Sequence, residues 1–442
     1  FSLLIEENKF EHIFYDNREE RLLTIVWNRG ESQQISIDGN PYNFPKNTIL
    51  PLMVNQSFWF EKPQNLVIWR FNREFYCIQA IKHILSFENK DFELVIQDNS
   101  ESKKIFDFVN NIEDSRLKYF YTENQLNSLI NMDLAISRAK GRYVTMIGDD
   151  DTVLPTIFKV VAYAFKNNYD AISQKNIVSY NWPNSLGEGL GGVISYKVVR
   201  NKKLTPVIKD EINLLLTNGM IDYLSFSFPK VYHGLVLKQH LDGIKKQTGH
   251  FFGGLSPDIY SAISLSFFVK KFIVIDYPLT IAGACASSTT SQNLLGGHKG
   301  ELEKAPHLNL RGEYVWDKRI PSYYSVESIW AESAIKSFVE NGKDYLLKNF
   351  NYPYFILFAF WRGKGIRKLI LYEVFNDKRV LYKVILCVKL IVFLVPFIGT
   401  KFLKSIIKNE EDVFINIKGV NNIECAVKEV MQLIPEKFPF NS

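Results

Sequence analysis

The stretch GRYVTMIGDDDTVLP, residues 141–155, decides how the rest of the chain is read. Its short apolar run, 143–147, has the length and composition of a buried strand. The run stops at Gly148 and is followed by Asp149, Asp150 and Asp151. Three adjacent anions at a strand end repel one another, and a cation relieves that repulsion. Mg²⁺ or Mn²⁺ suits the role, because such hard ions take one or two carboxylates and complete their shell with phosphate oxygens and water. Ligands of open α/β sheets bind at the carboxyl ends of strands. The alternative is an acidic surface turn. An EF-hand is excluded, since neither the loop glycine nor the twelfth-position glutamate follows at the required spacing.

Outward from this stretch, strands and helices alternate. Helical spacing covers 79–87, an apolar strand covers 92–96, and QDNS follows it at 97–100. A helix is expected over 102–112, a strand over 116–121 and a helix over 125–139. Another helix is expected over 155–165, with Pro155 suited to a first turn. Repeated βα units imply a largely parallel sheet covered by helices.

Four pieces in order, FELVIQDNS, RLKYFYTEN, NMDLAISRAKGRYVTMIGDDD and TVLP, resemble the family 2 glycosyltransferases over about residues 67–300. The resemblance implies the GT-A fold, an α/β class with a Rossmann-like mixed sheet flanked by helices. It implies that Asp98 contacts the nucleotide base and that Asp149, Asp150 and Asp151 supply the DxD site for a metal-bound diphosphate. The family form has a further Asp where this chain has Gly148, so which two of the three carboxylates bind metal stays open. The family's first strand matches LVIWRFNRE over 66–74, which puts Asn72 and Arg73 at the nucleotide. Trp69 and Arg70 depart from the family's usual residues there. For Asp98 the structural alternative is an Asx turn.

Further along, GEGLGG at 187–192 fits a dinucleotide fingerprint by letter. The residues after it read as a strand rather than a helix, so a loop is the better reading. A strand over 230–237 and a helix over 238–246 precede GHFFGGLSPDIYSAISLSFF at 249–268. Ser256 suits an N-cap and Pro257 a first helical position. Asp258 then lies in the first turn, where it could simply favour the helix dipole. The family resemblance implies instead that Asp258 is the general base. His233 and His250 are candidates for phosphate or acceptor contact beside their structural alternative. After strands over 272–277 and 279–282, residues 284–301 have the composition of a lid.

The N-terminal part reads as β structure, with short strands over 22–27, 34–37, 48–54 and 57–60 separated by turn signals. The wording over residues 10–78 resembles the cupin-like sensor half of AraC-type transcription regulators. No His-x-His motif occurs in it, and no chemistry is assigned to it. The expected division is 1–66 a partial cupin-like β segment, 67–305 the GT-A domain and 306–442 a helical, basic region. From 362 to 408 there are eleven Lys or Arg against Glu373 and Asp377. Set within this is the apolar run 384–398, broken by Lys389 and shorter than the ~20 residues a span needs. A basic apolar segment of that kind suits the surface of an anionic membrane.

Composition bounds the rest. Of 442 residues, 46% are apolar and 23% charged, as in folded proteins. The net charge of +6 is too mild to imply nucleic acid. Cys77, Cys285, Cys387 and Cys425 are scattered with no CxxC pair, so neither a zinc site nor a disulfide framework is suggested. The chain opens on Phe, so a trimmed start is expected, and no signal-peptide pattern is visible. Together these features lead to the expectation of an inverting, metal-dependent glycosyltransferase. It would move a sugar from a nucleotide-diphosphate donor to a hydroxyl of a cell-surface polysaccharide or lipid-linked acceptor. The expected location is the cytoplasmic face of the inner membrane, peripherally bound. The competing expectation is a ligand-sensing regulator fragment joined to an inactive transferase-like scaffold.

Overall fold

A computed structural model describes residues 6–7, 14–16, 23–376, 387–392, 394, 414–434 and 440. Within 23–376 it leaves out 53–56, 61–65, 72, 101–102, 124–125, 176–177, 184, 186–190, 198–202, 222, 286–287, 289–298, 306–307, 309–310 and 312–313.

The N-terminal part holds eight short strands: β1 (Glu6–Glu7), β2 (Phe14–Asp16), β3 (Leu23–Asn28), β4 (Gln33–Ile37), β5 (Asn40–Phe44), β6 (Ile49–Leu52), β7 (Ser57–Phe60) and β8 (Leu66–Phe71). They form two antiparallel sheets, in the orders β1-β8-β3-β6 and β2-β7-β4-β5. Val26, Ile35, Phe44, Phe58, Phe60 and Leu66 make their shared core. Asp38 and Gly39, both at positive φ, turn β4 into β5, so the expected turn at 38–41 is the tip of a hairpin.

One sequence expectation fails here. The run beginning at Leu66 does not enter the sheet that carries the acidic triplet. It pairs antiparallel with β3 over six positions and with β1 over two. An apolar strand takes whichever free edge satisfies its backbone, and β3 offers one.

After β8 the chain alternates. Helix α1 (Arg73–Leu85) precedes β9 (Leu94–Asp98), α2 (Lys104–Val109), β10 (Leu117–Tyr121), α3 (Ser128–Arg138), β11 (Tyr143–Val144), β12 (Thr152–Val153) and α4 (Ile157–Lys166). Strands β13 (Ala171–Gln174), β14 (Val178–Asn181), β15 (Val193–Lys197) and β16 (Lys203–Leu204) follow, then α5 (Ile208–Thr217), β17 (Gly234–Leu237), α6 (Lys238–Thr248), α7 (Pro257–Leu265), β18 (Phe272–Ile275) and β19 (Thr280–Ala284). The remaining elements are β20 (Lys299–Glu301), β21 (Tyr323–Ser325), α8 (Val326–Glu340), α9 (Tyr352–Arg362), α10 (Arg367–Phe375), β22 (Phe414–Ile417) and α11 (Ile423–Leu433).

The result is a mixed α/β architecture rather than the largely parallel sheet expected. One sheet has the order β11-β17-β13-β18-β16 and another β12-β19-β14-β15-β22. Parallel ladders join β13 to β18, β14 to β19 and β9 to β10, while the other ladders are antiparallel. Strand β15 follows the GEGLGG run directly, in keeping with its rejection as a dinucleotide fingerprint; residues 187–190 lie outside the described ones.

Two cores hold the layers. Tyr180, Trp182, Ile273, Ile275 and Ile281 from the sheets pack with Val160 of α4 and Val427 and Val430 of α11. The second core is helical, with Leu215 of α5, Ile259 and Ile263 of α7, Ile335 and Phe338 of α8 and Phe355 of α9. The C-terminal region is therefore not uniformly helical. Strand β22 extends a sheet against β15, and α11 joins the main core, capped by Asn422 accepting from the Cys425 amide. Most of the 384–398 run lies outside the described residues. Among the described residues no helix is long and apolar enough to cross a membrane.

Candidate active site

The acidic triplet does three different things. Only Tyr143 and Val144 of the expected strand pair with β17; beyond them the chain turns through Gly148 into the carboxylates. Asp149 is partly exposed and takes a two-point contact from Arg73, with Nε 2.5 Å from Oδ2 and Nη2 on Oδ1. Asp150 is buried, with Oδ2 accepting from the Cys285 amide at 3.1 Å and Oδ1 lying 3.5 Å from Arg73 Nη2. Burial pushes its carboxyl above the usual range, against the pull of Arg73 and with the push of Asp149 and Asp151.

Asp151 points inward. Its Oδ2 accepts from the Gly148 amide at 2.6 Å and the Tyr232 hydroxyl at 2.8 Å, and lies 3.3 Å from His233 Nε2. Its Oδ1 accepts from the Gly283 amide at 2.7 Å. Burial alone would raise this carboxyl, but His233 and the hydrogen bonds hold it below the usual value. His233 also meets Thr280 Oγ1 at 2.8 Å, so it is a structural partner of Asp151.

Two glycines make this packing possible. A Cβ on Gly283 would sit 1.7 Å from the Asp150 carbonyl oxygen. A Cβ on Gly148 would come within 3.0 Å of Asp151 Oδ2 and 3.2 Å of the Tyr232 hydroxyl. A larger residue at 148 would crowd the very contacts that orient Asp151.

Asp98 closes β9. It is buried, with Oδ1 accepting from the Ser100 amide at 2.8 Å and Oδ2 from the Tyr119 hydroxyl at 2.7 Å. The Asx-turn geometry is thus present, and the carboxylate still lines the same cleft as the triplet. Asn72 lies outside the described residues. Arg73 opens α1 and reaches the cleft through its contact with Asp149.

Asp258 lies in the first turn of α7, after Ser256 at the N-cap and Pro257. Ser256 does not cap the helix with its side chain; its hydroxyl donates to Asp258 Oδ1 instead. The Tyr223 hydroxyl donates to Oδ2. Tyr223 is buried beneath Trp330, ring centroids 5.1 Å apart, and burial with the nearby carboxylate holds its hydroxyl protonated. Lys230 lies 5.2 Å from the Tyr223 ring centre; burial lowers its ammonium pKa and Asp258 opposes the fall. Tyr223, Lys230 and Tyr232 carry no sequence motif, which is why spacing does not find them. His250 is engaged elsewhere, 3.0 Å from Glu340 and 3.1 Å from the Tyr260 hydroxyl.

One cleft of about 2090 Å³ is lined by Arg73, Asp98, Asp149, Asp150 and Asp258. These residues come from segments up to 185 positions apart in the chain. Residues 66–212 match the family model described as Glycosyl transferase family 2. The family-2 segment thus begins at β8 and takes in Arg73, Asp98 and the triplet, while Asp258 lies beyond it.

Curated relatives match parts of the chain. A GalNAc(5)-diNAcBac-PP-undecaprenol beta-1,3-glucosyltransferase of Campylobacter jejuni is 31% identical over 93 residues, 20% of this chain and 30% of the relative. The putative colanic acid biosynthesis glycosyl transferase WcaA of Escherichia coli is 28% identical over 126 residues, 26% of this chain and 44% of the relative. The chain spans less than half the length of either. Among solved structures, S. aureus TarS residues 1–349 with UDP-GlcNAc is 15% identical at a TM-score of 0.41, covering 67% of this chain and 73% of that one. That likeness is too loose to transfer any detail.

Metal chemistry was tested against the donors present. Among the described residues no group of three or more His, Cys, Asp or Glu side chains is placed to hold an ion unaided. Asp149 and Asp150 nevertheless fit a hard cation that draws its other ligands from a diphosphate, since they are adjacent oxygen donors already sharing a positive partner in Arg73. Asp151, with both oxygens engaged by the protein, fits less well.

Proposed function

We propose that this chain is a glycosyltransferase that moves a sugar from a nucleotide-diphosphate donor to a hydroxyl of a cell-surface polysaccharide or lipid-linked acceptor, with inversion at the anomeric carbon. The single observation that carries the reading is the sharing of one cleft by Asp98, Asp149, Asp150 and Asp258. The family-2 match over 66–212 and the curated relatives support it.

In this reading Asp98 reads the nucleotide base, and Asn72 and Arg73 lie at the nucleotide. Arg73 neutralises charge near the diphosphate. Asp149 and Asp150, and of the triplet least Asp151, would hold Mg²⁺ or Mn²⁺, which when bound supplies Lewis-acid neutralisation of the leaving diphosphate. Asp258 accepts the proton of the acceptor hydroxyl as that oxygen forms its bond to the anomeric carbon. The bond from that carbon to the diphosphate oxygen breaks, and its electron pair leaves with the nucleotide. Ser256 and Tyr223 hold the two oxygens of Asp258 in place. Loop 284–301, proposed as the lid against hydrolysis, lies mostly outside the described residues.

Acceptor access at the surface of an anionic membrane remains part of the proposal. Trp361 of α9 is 49% exposed and lies at the rim of the cleft beside Arg362. Tyr372 of α10 is exposed near Arg367 and Lys368. Exposed aromatic and basic side chains together suit a headgroup interface.

The test is calorimetric titration of UDP, GDP and dTDP, with and without Mn²⁺, on the wild type and on Asp150→Ala. Manganese-dependent binding of one nucleotide, lost in the variant, is expected. Failure of every nucleotide to bind sinks the reading.

A further inference from the structure

Strand β9 pairs on one side only, with β10. Strand β11 is likewise an end strand, paired with β17. The backbone of both, Leu94 to Asp98 on one side and Tyr143 to Gly148 on the other, lines the same cleft. Both segments run toward its acidic mouth, β9 ending at Asp98 and the other at Gly148 and Asp149. Away from the mouth the lining is apolar: Ile84 of α1, Ile136 of α3 and Ile157 of α4 all reach it. At about 2090 Å³ the cleft is about twice the upper size of ordinary small-ligand pockets, ~1,000 Å³. Two unpaired strand edges facing an apolar slot are a place for backbone hydrogen bonds to form.

We propose that this slot is a strand-binding site and that its occupant is Leu66–Phe71, which exchanges between the N-terminal sheet and the slot. Three observations select the segment. It ends two residues before Arg73, and Arg73 already touches Asp149 at the mouth. A strand entering α1 from the mouth would therefore run parallel to β9 and to 143–147, as a strand-helix-strand unit requires. The run LVIWRF is nearly continuous in apolar residues, the pattern of a strand covered on both faces. Six residues extend over ~20 Å, enough to lie along all five residues of β9 at ~17 Å.

The two placements exclude each other. In the N-terminal sheet the segment pairs with β3 and β1. In the slot it would pair on both edges and join β9 to β11 in one sheet. The backbone rotation needed is confined to the stretch between Phe71 and Arg73. A filled slot would also support Asp98 and Asp149 from beneath, so donor binding is expected to follow the exchange; that consequence alone rests on the reading above.

The test uses the full chain and no nucleotide, so its failure is distinct from failure of the transferase reading. In a background with Cys77, Cys387 and Cys425 replaced by Ser, Ile68→Cys is paired with Val26→Cys, its register partner in the N-terminal sheet. In separate variants Ile68→Cys or Val67→Cys is paired with Ile96→Cys, which samples both faces of the strand. After mild oxidation, mapping of linked peptides is expected to find both the 26–68 link and a link to position 96. Hydrogen exchange on the unmodified chain gives the second readout. A peptide of sequence NLVIWRFNR, added in excess, is expected to slow exchange across 94–98 and 143–147 by at least ~10-fold, and a scrambled peptide not at all. A link to 96 supports the exchange whether or not the peptide competes. Slowing by the peptide without that link overturns Leu66–Phe71 as the occupant. Absence of both overturns the site.

Discussion

Arg73, the first residue of α1, grips the Asp149 carboxylate through two guanidinium nitrogens while a third carboxylate oxygen, on Asp150, lies 3.5 Å away. One cation thus serves two adjacent anions. Arg73→Gln removes it, so the carboxylates should take Mn²⁺ more tightly in the absence of nucleotide, by about tenfold for ~1.4 kcal/mol of lost competition. Titration of free Mn²⁺ by electron paramagnetic resonance reads this directly. Unchanged or weaker binding in Arg73→Gln would remove Asp149 and Asp150 as ion ligands.

Asp258 should separate chemistry from binding. Asp258→Asn is expected to lower kcat by about 10²–10⁴ while the donor dissociation constant stays within about twofold, because a base acts on the acceptor proton alone. Steady-state rates with calorimetry on the same sample decide it. Equal losses in donor binding and rate would return Asp258 to the role of a helix-start anion.

Asp149 and Asp151 should part company in stability. Asp151→Ala leaves the Gly148 and Gly283 amides, the Tyr232 hydroxyl and His233 without their shared acceptor. A loss of about 3 kcal/mol in chemical denaturation is expected. Asp149→Ala, which exposes Arg73 to water, should lose less than about 1 kcal/mol.

Gly283→Ala places a methyl group 1.7 Å from the Asp150 carbonyl oxygen, a backbone atom that also accepts from Trp182 Nε1 at 2.9 Å. The backbone must move, so a loss of more than ~2 kcal/mol is expected, together with weakened nucleotide binding. Wild-type stability in this variant would show that the triplet and β19 are not packed as described.

Glu332 of α8 supplies a pH signature away from the cleft mouth. It is fully buried, its Oε1 accepts from the Tyr314 hydroxyl at 2.5 Å, and burial pushes its carboxyl up to about 7, against Tyr314, Lys336 and Arg311. Its folded value lies above the unfolded one of 4.5, so the folded state holds the proton more tightly. The penalty is absent below pH 4.5, grows as pH rises toward about 7 and is constant above that. Glu332→Gln should therefore gain on the order of 2–3 kcal/mol at pH 8 and almost nothing at pH 4.5. A pH-independent difference in the thermal midpoints would contradict a buried, protonated Glu332.

Much of the α/β part was legible before any coordinates. The strand ending at Asp98, the helix after Ser256 and Pro257, and the helix at 423–433 all lie where period and capping residues put them. Local rules suffice there, because each segment's apolar face and its end signals lie within about fifteen residues of one another. Strand β5 escaped notice because NPYNF reads as turn residues by composition, and only its pairing with β4 makes it a strand.

The residue types of the candidate site were set by the chain itself: an acidic triplet after an apolar run, an Asp after a strand, an Asp in a first helical turn. What each of them does was decided only by the fold. Local sequence gives Asp149, Asp150 and Asp151 equal standing, yet one meets Arg73 at the surface, one is buried against the Cys285 amide, and one is enclosed by Tyr232, His233 and two backbone amides. The placement of Leu66–Phe71 is the sharpest instance. Its apolar run specifies a strand and no partner, because backbone hydrogen bonding is the same at every free edge. The choice between the N-terminal sheet and the slot beside β9 belongs to contacts between residues far apart in the chain.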